Sequence, residues 1–266
     1  MANSMILDKA SQPASIRRPA WIVASLSLLS LLLILLSGFA VSPLAANLLK
    51  WSPALAAGLL VNIRISVLAI VIGTFFGLII GALQLSPLGW LRTLVRWYVQ
   101  LFRNTPVLVL IYFASYVFPF EIHVGAHYFT FPDWIKVTLG LALPASANVA
   151  EIFRGAILSI PTAQWDAANS LAFGRRQILS WIIFPQCVRR MLPPWMNLYA
   201  MITMSTALAS LVGVNELLDT AQIASNTVNR VDFTVAIYFG TLLLFFIYCY
   251  PISRFTQYLE KRYAFI

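Results

Sequence analysis

Apolar residues run along this chain in long blocks rather than in the narrow stripes of a water-soluble helix. A helix that crosses a bilayer needs ~20 apolar residues. Six windows meet that length, at 20–41, 55–84, 97–118, 134–157, 188–213 and 233–254. The pattern predicts an all-α polytopic membrane bundle of about six transmembrane helices. Gly73, Gly77 and Gly81 recur every fourth residue in the second window. That stripe either lets a neighbouring helix approach closely or reflects how common glycine is in membrane helices. Pro144 interrupts the fourth window beside Ser146 and Asn148, and a proline there removes an amide donor and bends the helix. Thr203, Thr206 and Ser210 share one face of the fifth window. Small polar residues beside a bend suit a solute route through the bundle, and hydrogen bonds between helices account for them equally well.

Between the fourth and fifth windows lies a polar segment, residues 151–185 (EIFRGAILSIPTAQWDAANSLAFGRRQILSWIIFP). A stretch of that size is rarely a plain connector. The pattern predicts a short helix that starts at Thr162, just after Pro161, and stops at Gly174 as the left-handed residue that ends it. Ala163, Ala167, Ser170 and Gly174 fall at helical spacing as a small-residue face. Asp166 lies near the first turn, where the helix dipole favours a carboxylate. A short helix with a smooth face outside the bilayer suits a partner's groove. Trp165 anchors it either at the membrane interface or in that groove.

Composition removes the soluble alternatives. The 266 residues are 60% hydrophobic and 10% charged, with a mean hydropathy of +0.82, which excludes a soluble domain. Lys9, Arg17, Arg18, Arg92, Arg96, Arg103, Arg154, Arg175, Arg176, Arg189, Arg190, Arg254, Lys261 and Arg262 fall on one side of the six-span scheme. Lys50, Lys136 and Arg230 fall on the other. The positive-inside rule therefore puts both termini and the 154–190 segment in the cytoplasm. Topology and anionic lipid account for the net charge of +9; no basic soluble face remains for nucleic acid. Arg17-Arg18 followed by a Leu-rich run is also the pattern of a secretory signal. The run is at or beyond the upper length of such a core, so a retained first helix is the expectation.

Candidate chemistry is sparse. No lysine follows a glycine, so no phosphate-binding loop can be written, and any ATP that drives this protein must be hydrolysed by a partner. His123 and His127 stand beside Glu121 without an HExxH pattern, which predicts a solvated connection rather than a metal site. No Gly-x-Ser-x-Gly turn occurs. Cys187 and Cys249 belong to different spans and serve as small apolar fillers. Arg64 lies ~13 Å inside the second span at 1.5 Å per residue, a position that costs ~2.5 kcal/mol or more unless it faces protein or water. It either meets the carboxylate of an arriving solute, or snorkels to the headgroups or pairs internally. Glu151 is the one acid well inside a span and sits a turn from Arg154, which points to pairing. Its isolation argues against an ion-coupled carrier.

Asp166-Ala167-Ala168 followed by Ile183-Phe184-Pro185 resembles the cytoplasmic EAA-type loop of permease subunits in bacterial ABC importers. Residues 154–161 (RGAILSIP), Gln164-Trp165 and Pro185-Gln186 narrow the resemblance to the polar amino-acid branch, for histidine, arginine, glutamine, glutamate or opines. Residues 103–107 (RNTPV) and 208–217 (LASLVGVNEL) add matching pieces in order, so the likeness covers roughly residues 55–262. Four departures stand out: Asp166 for the usual Glu, Ala172 for Gly, Asn104 for Gly, and Met204-Ser205-Thr206-Ala207-Leu208 for Lys-Asp-Thr-Ser-Leu. The resemblance implies a cytoplasmic tail, extra helix and outer loop over 1–54, then a permease domain over 55–262 with a coupling loop at 155–185. It implies ATPase coupling through Thr162, Ala163, Gln164, Trp165, Asp166, Ala167, Ala168, Ser170 and Gly174. It also implies a cytoplasmic ATPase dimer that carries ATP and Mg, a second permease subunit, and an external solute-binding protein. This chain itself would hold no cofactor. Arg64, Ser146, Asn148, Glu151, Thr203 and Thr206 are the candidate substrate path. The alternative is an ion-coupled carrier or channel that works without an ATPase.

Overall fold

The computed structural model describes residues 43–124 and 127–263. The chain divides into one unit ending at Lys50 and another from Trp51 onward. The tail and the expected first span at 20–41 lie outside the described residues. Helix α1 runs over Pro43–Gln84 and begins earlier than the apolar window that predicted it. The expected third span is two helices, α2 over Gly89–Asn104 and α3 over Val107–Val117. Pro106 is the cause of this departure. It has no amide donor and forces the preceding residue out of the helical region; Thr105 sits at φ −83°, ψ 133°.

The connection after α3 is a small hairpin, β1 over Glu121–Val124 and β2 over His127–Thr130. They pair antiparallel with Glu121 opposite Thr130 and Val124 opposite His127. His123 is paired with Tyr128 rather than with His127. Helix α4 (Asp133–Leu158) runs unbroken through Pro144. A short helix α5 (Thr162–Ser170) follows, then a single turn α6 (Arg175–Gln177) and a π-helical turn over Ile178–Ile183. Helix α7 (Phe184–Ser205) continues into a 3₁₀ turn at Thr206–Val212. Helix α8 (Leu217–Val228) precedes the last span, α9 (Val231–Tyr263). Among the described residues, four helical segments are long and apolar enough to cross a membrane: Pro43–Gln84, Asp133–Leu158, Arg175–Val212 and Val231–Tyr263. The all-α bundle stands, with α8 as an element that its polar sequence did not announce.

Helix α4 is the hub. It packs against α2, α3 and α7, and Val137, Leu141, Ala145, Ala147, Val149 and Ala150 are fully buried. The glycine stripe of α1 seats against it. A Cβ at Gly73 would lie 2.5 Å from Ala145 Cβ, and one at Gly81 would lie 2.8 Å from the Ala150 carbonyl oxygen. The close-approach reading of that stripe therefore holds: without side chains, the two backbones come near enough for dispersion contacts to hold them. At the start of α4, Lys136 is fully buried, paired with Asp133 at 3.0 Å and lying 3.6 Å over the Phe120 ring.

Candidate functional site

The short helix starts where the sequence predicted, at Thr162 after Pro161, whose fixed φ and missing amide suit the position just before a helix. Its end is a correction. The helix stops at Ser170; Ala172, not Gly174, is the left-handed residue, at φ 57°. The Phe173 amide donates to the Ala168 carbonyl at 3.3 Å and the Ala172 amide to the Asn169 carbonyl at 2.9 Å. This double closure satisfies the last carbonyls of the helix. It turns Phe173 back into an apolar cluster of Phe153, Ala156, Ile160, Ala168, Ile178, Ile183, Cys187 and Met191. Burying Phe173 outweighs the ~1–2 kcal/mol that an alanine loses in this backbone region. Gly174, at φ −66°, instead precedes α6 and donates its amide to Gln177 Oε1 at 2.8 Å. Replacing Ala172 with glycine should remove the steric cost and raise stability by about 1 kcal/mol. Thermal unfolding of the solubilised protein would read this as a higher midpoint, and a lower midpoint would show that Ala172 contributes something other than strain.

Ala168 alone of this helix is buried, at 2% exposure. Gln164 and Trp165 are half-buried, and Thr162, Ala163, Asp166, Ala167 and Ser170 are exposed. Asp166 is the fifth helical residue, beyond the first turn. The small-residue face therefore exists over Ala163, Ala167 and Ser170, without Gly174. The helix rests on the ends of α4 and α7 through the cluster beneath it, so it is tied to both spans. Arg190 adds a strap, donating from Nη1 to the Ser159 carbonyl at 2.8 Å.

The six candidate path residues are not gathered at one point. Arg64 places its guanidinium 3.7 Å from the centroid of the Trp134 ring, and among the described residues no ion pair engages it. Its partner is an aromatic face, an attraction of about 0.5–1 kcal/mol at an exposed site. Ser146 Oγ and the Tyr98 hydroxyl are 2.8 Å apart. Asn148 accepts from Arg103 Nε at 3.3 Å and donates to the Pro144 carbonyl at 2.8 Å. Glu151 accepts from Arg154 Nε at 3.1 Å and from its Nη2, as the spacing of the two residues predicted. These two, with Gln84, Arg96 and Gln100, line a polar cavity of about 270 Å³. Thr203 and Thr206 are buried together, with Thr206 Oγ1 donating to the Thr203 carbonyl at 2.7 Å.

The most tightly built polar cluster was not anticipated. Asn62 is fully buried and donates from Nδ2 to Thr206 Oγ1 at 3.0 Å and to Glu216 Oε2 at 2.7 Å. Its Oδ1 accepts from the Leu217 amide at 3.1 Å. Glu216, also fully buried, caps α8 by accepting from the Asp219 amide at 2.9 Å, the usual means of satisfying a helix's first amides. Burial pushes its carboxyl above the usual range, against the lowering effect of Asn62 and the helix amides. Gly58 makes room for this chain crossing, since a Cβ there would lie 2.8 Å from the Glu216 carbonyl carbon. One signal was available: an asparagine inside an apolar window. Gly81 packs by Phe153 of the loop-side cluster. From Asn62 to Gly81 is nineteen residues of α1, about 28 Å at 1.5 Å per residue. The polar cluster and the short helix thus sit at opposite ends of the bundle.

Comparison with known proteins matches residues 73–265 to the family described as binding-protein-dependent transport system inner membrane component. The chain is 32% identical over 212 residues to a probable amino-acid ABC transporter permease, YckA, of Bacillus subtilis, covering 80% of this chain and 90% of that protein. It is 30% identical to the octopine transport system permease OccM of Rhizobium radiobacter, covering 78% and 84%. In fold it resembles a crystal structure of an amino acid ABC transporter with histidines, with a TM-score of 0.70 at 24% identity over 81% of this chain and 96% of that one. The chain belongs to the binding-protein-dependent transport system inner membrane component family: it is a multi-pass permease subunit of an ABC importer, a transporter component rather than an enzyme.

Proposed function

We propose that this subunit forms the path for a polar amino acid or a close relative and is driven by a separate ATPase dimer gripping α5. Both termini and the 154–190 segment face the cytoplasm in this reading, which the distribution of basic residues supports. A second permease subunit completes the pathway, a solute-binding protein delivers cargo at the opposite face, and ATP and Mg stay on the ATPase. The observation that carries the proposal is the seating of α5. It is held through Ala168 to a cluster shared by α4 and α7, while Ala163, Ala167 and Ser170 remain uncovered. A knob fixed to two spans transmits a rigid-body displacement to both, which is what alternating access needs. The substrate class is supported by the kinship with amino-acid and octopine permeases.

Replacing Ala167 with tryptophan tests this. The new side chain would obstruct the docking face without touching the buried side of the helix. The expected result is normal membrane insertion with solute-stimulated ATP hydrolysis and uptake reduced at least tenfold, a loss of about 1.4 kcal/mol of coupling. Uptake at the wild-type rate would remove the docking reading. Transport by the purified chain alone in liposomes, driven by an ion gradient, would replace it with a carrier mechanism.

A further inference from the structure

Beside the docking helix is a groove whose walls share Phe153, Ile183 and Cys187 with the cluster beneath that helix. It has a volume of about 660 Å³, with Phe153 and Ile157 of α4 on one wall and Leu179, Ile183, Phe184 and Cys187 on the other. Arg175, Arg176 and Ser180 stand at the same opening. The π-helical turn at Ile178–Ile183 makes up much of the second wall, and such wide turns displace side chains from ordinary helical spacing. The apolar surface continues outside the groove, with Leu179 39%, Phe184 51% and Trp181 65% exposed. Both walls belong to ends of helical segments long and apolar enough to cross a membrane, so in the proposed orientation the groove opens at the cytoplasmic edge of the bilayer, where an exposed tryptophan is at home. Neither Arg175 nor Arg176 makes an ion pair or a side-chain hydrogen bond among the described residues.

An occupant must therefore bring an apolar chain for the walls and a negative head for the two guanidinium groups. We propose that the groove holds an acyl chain of an anionic phospholipid whose phosphate rests on Arg175 and Arg176. Guanidinium groups bind phosphate oxygens in pairs, and basic pockets at the ends of spans are a recurrent site for acidic headgroups. A water-soluble protein partner fits less well, because it would have to bury an apolar segment between two spans. The lipid would brace the junction of α4 with the 175–187 segment.

Photoactivatable lipids test the assignment. The full-length protein, purified with its associated subunits, is placed in phosphatidylcholine nanodiscs containing traces of photoactivatable phosphatidylglycerol or photoactivatable phosphatidylcholine. Phosphatidylglycerol should label peptides spanning residues 153–187 about thirtyfold more than phosphatidylcholine, since two basic residues near an anionic surface contribute roughly 1 kcal/mol each. The double variant Arg175→Gln with Arg176→Gln should erase that preference, and the Arg175→Lys with Arg176→Lys pair should keep most of it. Should the glutamine variant not assemble, Leu179→Trp fills the groove with its charge intact and should abolish labelling there by both lipids. Equal labelling by the two lipids, labelling that survives groove filling, or groove peptides shielded by the ATPase or a second permease copy would each overturn the proposal.

Discussion

Replacing Asn62 with leucine is expected to lower the stability of the folded protein by about 3 kcal/mol at neutral pH. The substitution keeps the number and branching of side-chain heavy atoms but removes the donor to Glu216, the donor to Thr206 and the acceptor for the Leu217 amide together. A buried hydrogen bond contributes about 1 kcal/mol net, and three are lost together. Glu216 sets the pH dependence. Its folded-state pKa is raised by burial, so the folded state holds the proton to higher pH than the unfolded chain does. That contribution is fully present below the unfolded pKa and is lost as the pH rises through the folded one. Asn62→Leu takes away a group that favours the charged form, so its penalty should be largest above the folded pKa and shrink in acid. Thermal unfolding at neutral and acidic pH reads both effects. A penalty under about 1 kcal/mol would mean that the cluster does not lock α1 to α8, and an equal penalty at both pH values would mean that the Glu216 charge is not involved.

Substitution of Gly77 by leucine should be comparably damaging at the other end of α1. A Cβ there would lie 2.6 Å from Val149 Cβ and 2.7 Å from the Ser146 carbonyl oxygen. The second contact is with backbone in the middle of the most buried helix, so no rotamer change relieves it. Overpacking of a rigid core costs about 1–3 kcal/mol, and a full leucine side chain belongs at the upper end of that range. Gly240 is the control, because a Cβ added to it meets nothing within 4 Å; Gly240→Leu should shift stability by no more than about 0.5 kcal/mol. Membrane yield and the thermal midpoint of the two variants give the comparison. If Gly77→Leu were as stable as Gly240→Leu, the contact between α1 and α4 would not be the dispersion-held seam described above.

The span read most accurately was one whose limits depend on local chemistry alone. The window 134–157 corresponds to Asp133–Leu158, because the cost of placing polar residues in hydrocarbon is counted residue by residue; the window 233–254 stops nine residues short of the end of Val231–Tyr263, since a helix continues past the apolar stretch that hydropathy detects. The start of α5 was readable for a similar reason, since Pro161 fixes its own backbone. The break at Pro106 was equally local but was outvoted by the hydropathy of its neighbours. The stop of α5 was not readable. Whether Ala172 or Gly174 takes the left-handed turn depends on where Phe173 must point, and that is set by an apolar cluster drawn from other segments.

The polar residues divide in the same way. Glu151 and Arg154 share one helical turn, and their pairing follows from spacing. Arg64 was recognised as needing company, but a count of charges could not name an aromatic ring seventy residues away as its partner. Asn62 and Glu216 are 154 residues apart, beyond any periodicity. The linear order of residues was enough for the helical class, the membrane setting, the family likeness and the presence of a shaped loop, because transfer energies, proline geometry and short motifs act over a few neighbouring positions. Which polar groups satisfy one another, and which face of the loop helix remains open, emerged only from the folded chain. In an apolar interior every donor must find an acceptor, and the packing of distant helices determines which one it meets.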